Sequence, residues 1–335
     1  MARTKQPLPR ELPLHVRFLP AESTGSYVTR LAERNGLTAQ QLLDWVGDGK
    51  SAVVPPHLTE LYLNYAAAER LAALAGRPLP VLQYALASLG RQYFLPNGSG
   101  PAWQWPWAAT DGHLVRACDL CAACRGALEA VYLMLPDPWH VCVRHRRWSD
   151  NARDPKRPWI DLTRWPQVID AHYRLRRLNA RMGPVGRVLF ADALALLAAP
   201  RTRLHRLPPP WFAPVADRLG ERRAGPLLAY ATAVQIARIL ANAELRRLRG
   251  RLTWSDYEYW QEQAARRLGP DFTDGLGRWM QLHGLALETP REWSARSPHS
   301  DLVGPHTRIP PLASSAALSC LNGDVGAGAF DRPFL

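Results

Sequence analysis

Long apolar runs are missing from this sequence, and their absence removes the simplest membrane-spanning reading: no uninterrupted stretch is long enough to cross a bilayer. The opening Met1-Ala2-Arg3-Thr4-Lys5-Gln6-Pro7 lacks the apolar segment of a secretory signal. The expectation is therefore a cytoplasmic, nucleoid-associated protein with no membrane partner. Cysteine is scarce, five in 335 residues, and four of the five fall between Cys118 and Cys142. Disulfides are disfavoured in a reducing compartment, so crowding of this kind argues for metal binding. Lysine is rarer still, with Lys5, Lys50 and Lys156 the three of the chain. Acidic residues are also few, 29 against 42 basic ones, which leaves a net charge of +13. A balance so basic points to a polyanion, nucleic acid ahead of membrane. No Gly-rich phosphate loop occurs. Nor does a cluster of carboxylates that would hold catalytic metal ions. A nuclease or transposase is thereby disfavoured, and the chain is expected not to be an enzyme.

What is present is apolar enough to fold: 47% of the residues are hydrophobic. Many of the thirteen tryptophans crowd the middle third, among them Trp103, Trp105, Trp107, Trp139, Trp148, Trp159 and Trp165. That third is expected to be ordered, since disordered segments are poor in aromatics. Charge clusters there too. From Arg144 to Arg206 there are fifteen Arg or Lys, five Asp and no Glu, an imbalance that a merely solvated face would not need.

The first hundred residues read as helices. Ser26 to Asn35 carries apolar residues at helical spacing and stops at Gly36. Thr38, with Gln41 three positions later, has the form of a capping box for a second helix through Leu42, Leu43 and Val46. Forty residues on, the pattern recurs. Arg30-Leu31-Ala32, Gly36 and Leu42 match Arg70-Leu71-Ala72, Gly76 and Leu82. Each copy is a helix, a Gly turn and a second helix, the spacing of a helix-turn-helix and equally of a plain helical hairpin. Pro78 and Pro80 fit only the first turn of the last helix. Leu95 to Pro101 reads as a linker. Two helices are expected between Trp165 and Leu197, broken at Gly183-Pro184. Further helices are expected over Pro226–Arg249, Asp256–Leu268 and Asp271–His283. Beyond Thr289 the Pro-, Ser- and Gly-rich tail, with Cys320, is expected to be disordered. The fold class is mainly α. A helical domain over 1–100, a zinc module over 101–160, a helical domain over 161–289 and a tail over 290–335 make up the expected organisation.

The cysteines carry the most specific motif. Cys118-x-x-Cys121, twenty residues, then Cys142-x-x-His145 offers two tight turns, each with a ligand pair for a tetrahedral zinc ion. Cys121 with Cys124 is an equally good pair on spacing alone, whereas His140 is awkwardly close to Cys142. Four protein ligands leave no open position, so the site is read as structural.

These residues resemble the TniQ/TnsD family of transposon target-selection proteins. Pro20-Ala21-Glu22-Ser23 is similar to the family's opening "Pro-x-Glu-Ser" element, and Tyr27 to Thr38 to its first helical pair. Arg116-Ala117-Cys118-Asp119-Leu120-Cys121 with Cys142-Val143-Arg144-His145 is similar to its "Arg-x-Cys-Pro-x-Cys … Cys-Pro-x-His-Gly" zinc ribbon. That likeness favours Cys118 over Cys124. Val143 replaces the family's Pro, and Arg146 replaces the Gly after the His, which suggests a divergent subgroup. The resemblance implies DNA targeting in transposition, with partners doing the chemistry.

The function expected is thus a zinc-containing DNA-binding accessory protein. A transcriptional regulator of the same descent and a protein-interaction scaffold are the alternatives. Candidate partners are double-stranded DNA, a transposase or AAA+ ATPase, and a second copy of the chain. Arg144, Arg146 and Arg147 are the first candidates for phosphate contact, because zinc would fix the backbone beside them. Arg174, Arg176, Arg177 and Arg181 follow on one helix, and Arg246, Arg247 and Arg249 at a helix end come third. Gln40 and Gln41 are candidates for reading adenine.

Overall fold

The computed structural model describes residues 10–49, 52–90, 93–96, 98, 100–105, 113–150, 158–198, 217, 219, 221–248 and 254–268. The expected helix Asp271–His283, the tail, Cys320, Arg249 and Trp107 lie outside the described residues. The chain is mainly helical with a few small sheets, and it divides into two compact units, Met1–Asp161 and Leu162–Leu335.

The first unit begins with a helical head. Helix α1 (Thr24–Arg34) starts two residues earlier than its apolar spacing suggests, because Ser23 caps it: the Ser23 hydroxyl accepts from the Ser26 amide at 3.0 Å. Helix α2 (Ala39–Val46) opens with the Thr38–Gln41 capping box, both bonds present at 3.2 and 2.8 Å. Helix α3 (Tyr65–Leu74) is capped by Asn64, and α4 (Leu79–Ala85) holds Pro80 in its first turn. The forty-residue repeat is real in three dimensions. Leu31 and Leu71 are fully buried, as are Leu42 and Leu82. Gly36 and Gly76 both take left-handed φ, +70° and +58°, where a side chain would be strained. The strap before α1 ties the two turns together. Asn35 in the first turn exchanges bonds with Leu14, while the Leu12 amide donates to Leu74 at the end of α3.

The segment expected to be a linker is bonded into this head. The Leu95 amide donates to the Leu63 carbonyl, and the Asn64 side chain donates to the Gly100 carbonyl. Strand β3 (Ala102–Gln104) then runs parallel to β1 (Asp48–Gly49) and antiparallel to β2 (Tyr62–Leu63). It carries Trp103 into the same core as the helices, and Trp105 follows it there. The indole N–H of Trp103 donates to Leu43 and Gly47 carbonyls at 3.1 and 2.8 Å, closing the end of α2. Pro and Gly gave the segment the composition of a linker, but the tryptophans beyond it fill the core.

Still in the first unit, β4 (His113–Arg116) pairs antiparallel with β5 (Tyr132–Leu135), and α5 (Asp119–Ala123) lies between them in sequence. A third small sheet orders β6 (Trp139–Cys142), β7 (Arg147–Asp150) and β8 (Ile160–Asp161), all antiparallel.

The second unit is helical. Helix α6 (Pro166–Met182) ends at Gly183, φ +62°, and α7 (Pro184–Ala198) follows. Helix α8 (Glu221–Leu248) and α9 (Trp254–Leu268) complete the described part. Within α8, Arg223–Arg246 is long and apolar enough to cross a membrane although charged residues interrupt it; 67% of its apolar window is buried within the protein, as a core helix would be.

Candidate metal centre and basic surfaces

The opening Pro20-Ala21-Glu22-Ser23 element is the seam between the head and the β4–β5 sheet that leads into the first cysteine pair. Its backbone pairs with β5: Ser23 donates to Tyr132, Met134 donates to Ala21, and Glu22 bridges Leu133. Ala21 takes a left-handed φ of +60° to make this turn. Glu22 is completely buried. Its carboxylate is held by Arg30 Nε at 2.9 Å, by the Ser26 hydroxyl at 3.2 Å and by the Leu19 amide at 3.3 Å. Burial nevertheless pushes its pKa up, against the pull of Arg30. Arg30 also donates to the Arg17 carbonyl at 2.8 Å, anchoring the strap. One ion pair thus fixes the strap, α1 and the seam. Glu60 is a second buried carboxylate here, accepting from the Gly25 and Leu61 amides at 3.0 and 2.7 Å. Desolvation lifts its pKa from 4.5 to about 7 despite those bonds. The sequence contained Glu22 within a motif but gave no sign of its partner, and it gave none of Glu60.

Across the seam, the cysteine turns converge. Cys118 stands at the N-terminus of α5, immediately after β4, and Cys121 is one turn on. The Arg116–Asp119 pair, 3.1 Å, braces this turn, as does the Ala117 amide bonded to Val131. Cys142 ends β6 and His145 lies in the turn to β7. The donor atoms of Cys118, Cys121, Cys142 and His145 all lie within 4.8 Å of one another. His145 Nδ1 is 3.4, 3.2 and 3.6 Å from the sulfurs of Cys118, Cys121 and Cys142, and Cys121 Sγ is 3.6 Å from Cys142 Sγ. A tetrahedron built on metal–sulfur bonds of about 2.3 Å has edges of roughly 3.8 Å, so the four donors fit one tetrahedral ion. Burial first, and then the neighbouring sulfurs, lift the Cys121 thiol to about 12. Three sulfurs so close would not ionise together without a cation among them. Cys124 is exposed at the end of α5 and is not one of the four. His140 is also outside the group, and burial lowers its pKa.

The arginines are distributed around this site and along α6. Arg144 and Arg146 are exposed, on the turn that carries His145. Arg146 sits at φ +49°, a left-handed conformation that Gly would adopt without strain. Arg147 is half-buried, its guanidinium 4.2 Å from the centroid of the Trp159 ring, a cation–π contact that fixes its direction. On α6, Arg174, Arg176, Arg177 and Arg181 are all exposed. At 3.6 residues per turn, Arg174, Arg177 and Arg181 form one stripe and Arg176 lies on the opposite flank of the exposed face. Arg246 is paired with Asp256. Gln40 and Gln41 are exposed but engaged, Gln40 with Asp44 at 2.7 Å and Gln41 in the capping box.

No curated protein and no solved structure matches the chain. Residues 13–148 match the TniQ family model, from the strap into β7, the strand that follows the His145 turn.

Proposed function

We propose that this chain, which belongs to the TniQ family through residues 13–148, is a zinc-containing, DNA-binding accessory protein of transposition that directs partner proteins to a target site. The observation that carries the reading is the turn between β6 and β7. Cys142 and His145 belong to the four-donor cluster, while Arg144 and Arg146, adjacent in the same turn, are exposed to a ligand. Three sulfurs and an imidazole suit zinc. When bound, zinc supplies the positive charge that keeps the sulfurs deprotonated and the cross-link that fixes the turn. The chain's own residues then do the binding: Arg144, Arg146 and the Trp159-stacked Arg147 take phosphates, with the α6 arginines as a second contact. With all four positions filled by protein, the centre has no place for a reacting water. The chain itself is not an enzyme; a transposase or an ATPase supplies the chemistry, in the cytoplasm.

One observation favours a second role for the head. The first helical pair is not basic at its surface, with exposed Glu33, Arg34, Asp44 and Asp48, and its glutamines are engaged. The pairs expose Trp45 and, 96% accessible, Tyr84, which suits a protein partner better than phosphates.

Fluorescence anisotropy with random-sequence duplex DNA across a salt series tests the proposal. If about six phosphates are contacted, the logarithmic salt slope is about −5. Replacing Arg144, Arg146 and Arg147 together weakens all sequences alike and flattens the slope by about 3. Absence of binding at low salt, or indifference to salt, would leave the scaffold as the function.

A further inference from the structure

We infer that the outward face of α6 binds unpaired nucleotides, the Tyr173 ring stacking on a base while Arg174, Arg176, Arg177 and Arg181 take the phosphates around it. The inference rests on the nucleic-acid reading of these arginines and adds to it a different ligand form and a residue that duplex binding does not need.

Helix α6 buries Val168, Ala171, Leu175, Leu178 and Met182. That phase turns Tyr173 almost directly away from the core, and the ring is 45% exposed. An outward helical position is ordinarily filled by a charged or polar residue. Around this ring the arginines stand on both sides: Arg176 on one flank, Arg177 one turn on, Arg174 and Arg181 beyond it. Asp170 is the one acidic residue among the exposed positions of α6. The helix dipole accounts for Arg181, in the last turn, but the other three lie too far from the C-terminus for it.

Arginines alone would serve a duplex, which offers phosphates and groove edges and keeps its base faces inside the stack. An exposed aromatic among arginines is useful where a base plane is free. Stacking then tolerates any base, and the cations follow the backbone. The shared chemistry is a base with its flanking phosphates, and single-stranded DNA and single-stranded RNA both present it.

The test uses the full, metal-loaded chain with labelled oligothymidylate and oligouridylate of about twelve nucleotides, beside a random duplex. Tyr173→Ala lowers affinity for single strands about tenfold, Tyr173→Phe does not, and duplex affinity stays within about twofold. Alanine is the better helix former at an exposed site, so unchanged circular dichroism will accompany the loss. A loss confined to one oligonucleotide assigns the ligand to DNA or RNA. Photocrosslinking to 5-iodouracil, mapped by mass spectrometry, should place the adduct on Tyr173. Single-strand binding by Tyr173→Ala equal to wild type overturns the inference and leaves duplex binding standing. A wild-type chain that binds single strands through Tyr173 but no duplex at low salt overturns the duplex reading instead.

Discussion

The helical head and the cysteine–histidine module lie in one compact unit, yet they are held together by different means. The head buries Leu31, Leu42, Leu43, Leu61, Leu63 and Leu71 with Trp103 and Trp105 in one cluster. Side chains of that size contribute about 1.5–3 kcal/mol each on burial. The core beside the cysteines is Leu19, Ala117, Ala122, Ala127, Val131 and Leu133. Half of it is alanine, which buries little, and the stacked Trp139–Trp148 pair, 5.3 Å between centroids, is the module's main aromatic contact. Leu114, Val115, Val141 and Ile160 are buried in its strands as well, and in a segment this short the four-donor cluster is placed to add a cross-link. The comparison sets an apolar core against a turn, carrying Arg144 and Arg146, that is built around a cluster able to hold a metal ion. The seam between them is polar, made by Glu22 and Arg30.

The largest effect that would break this comparison is metal removal. Ligand formation in small zinc modules is worth about 10–16 kcal/mol of apparent free energy, a large share of what a module of this size needs to fold. Chelation, or Cys118→Ser, should disorder residues 115–148 while the head keeps its helical circular dichroism. Elemental analysis should give one zinc per chain for wild type and for Cys124→Ser, and none for Cys118→Ser. Loss of the head's helices together with the metal would show that the two regions share one stability.

A smaller effect probes the seam. Glu60 in the folded chain titrates near about 7, above its ordinary 4.5. Folding therefore favours its protonated form, so the stability it contributes is complete below pH 4.5 and is lost as pH rises through 7. Glu22 lies nearby and pushes in the same direction. Between about pH 6 and pH 8.5 the head should lose about 1 kcal/mol, and Glu60→Gln should flatten that dependence. Denaturant midpoints of the metal-loaded chain measure it. A pH dependence unchanged by Glu60→Gln would mean that Glu60 does not titrate there.

The smallest effect separates stability from binding within the module. Arg146→Gly should relieve left-handed strain and stabilise the module by ~1 kcal/mol or less. It should at the same time remove one phosphate contact and flatten the salt slope by about 1. Thermal unfolding and anisotropy on the same sample read the two changes. A variant that loses stability would show that the Arg146 side chain supports the turn instead of straining it.

Local signals were well read in the sequence. The Thr38–Gln41 capping box, the Gly36 and Gly76 turns, and the break at Gly183-Pro184 act within a few residues, and each appears where its chemistry puts it. The candidate donors were legible because chelate spacing is itself local, two residues between Cys118 and Cys121 and two between Cys142 and His145, but spacing left Cys124 as an equal alternative and the family likeness favoured Cys118. The strands around them were not delimited, since β4, β5, β6 and β7 are four residues each and are stabilised by partners distant in sequence.

Sequence by itself determined the longer helices, the Thr38–Gln41 cap, the forty-residue repeat and the spacing of the candidate ligand pairs, because each depends on periodicity or on neighbours a few positions apart. Tertiary structure alone decided that Trp103 closes α2, that Glu22 meets Arg30 at a buried seam, and that Tyr173 faces outward among arginines. Those outcomes follow from which surfaces are buried against which, and burial is a property of the packed chain that no local pattern carries.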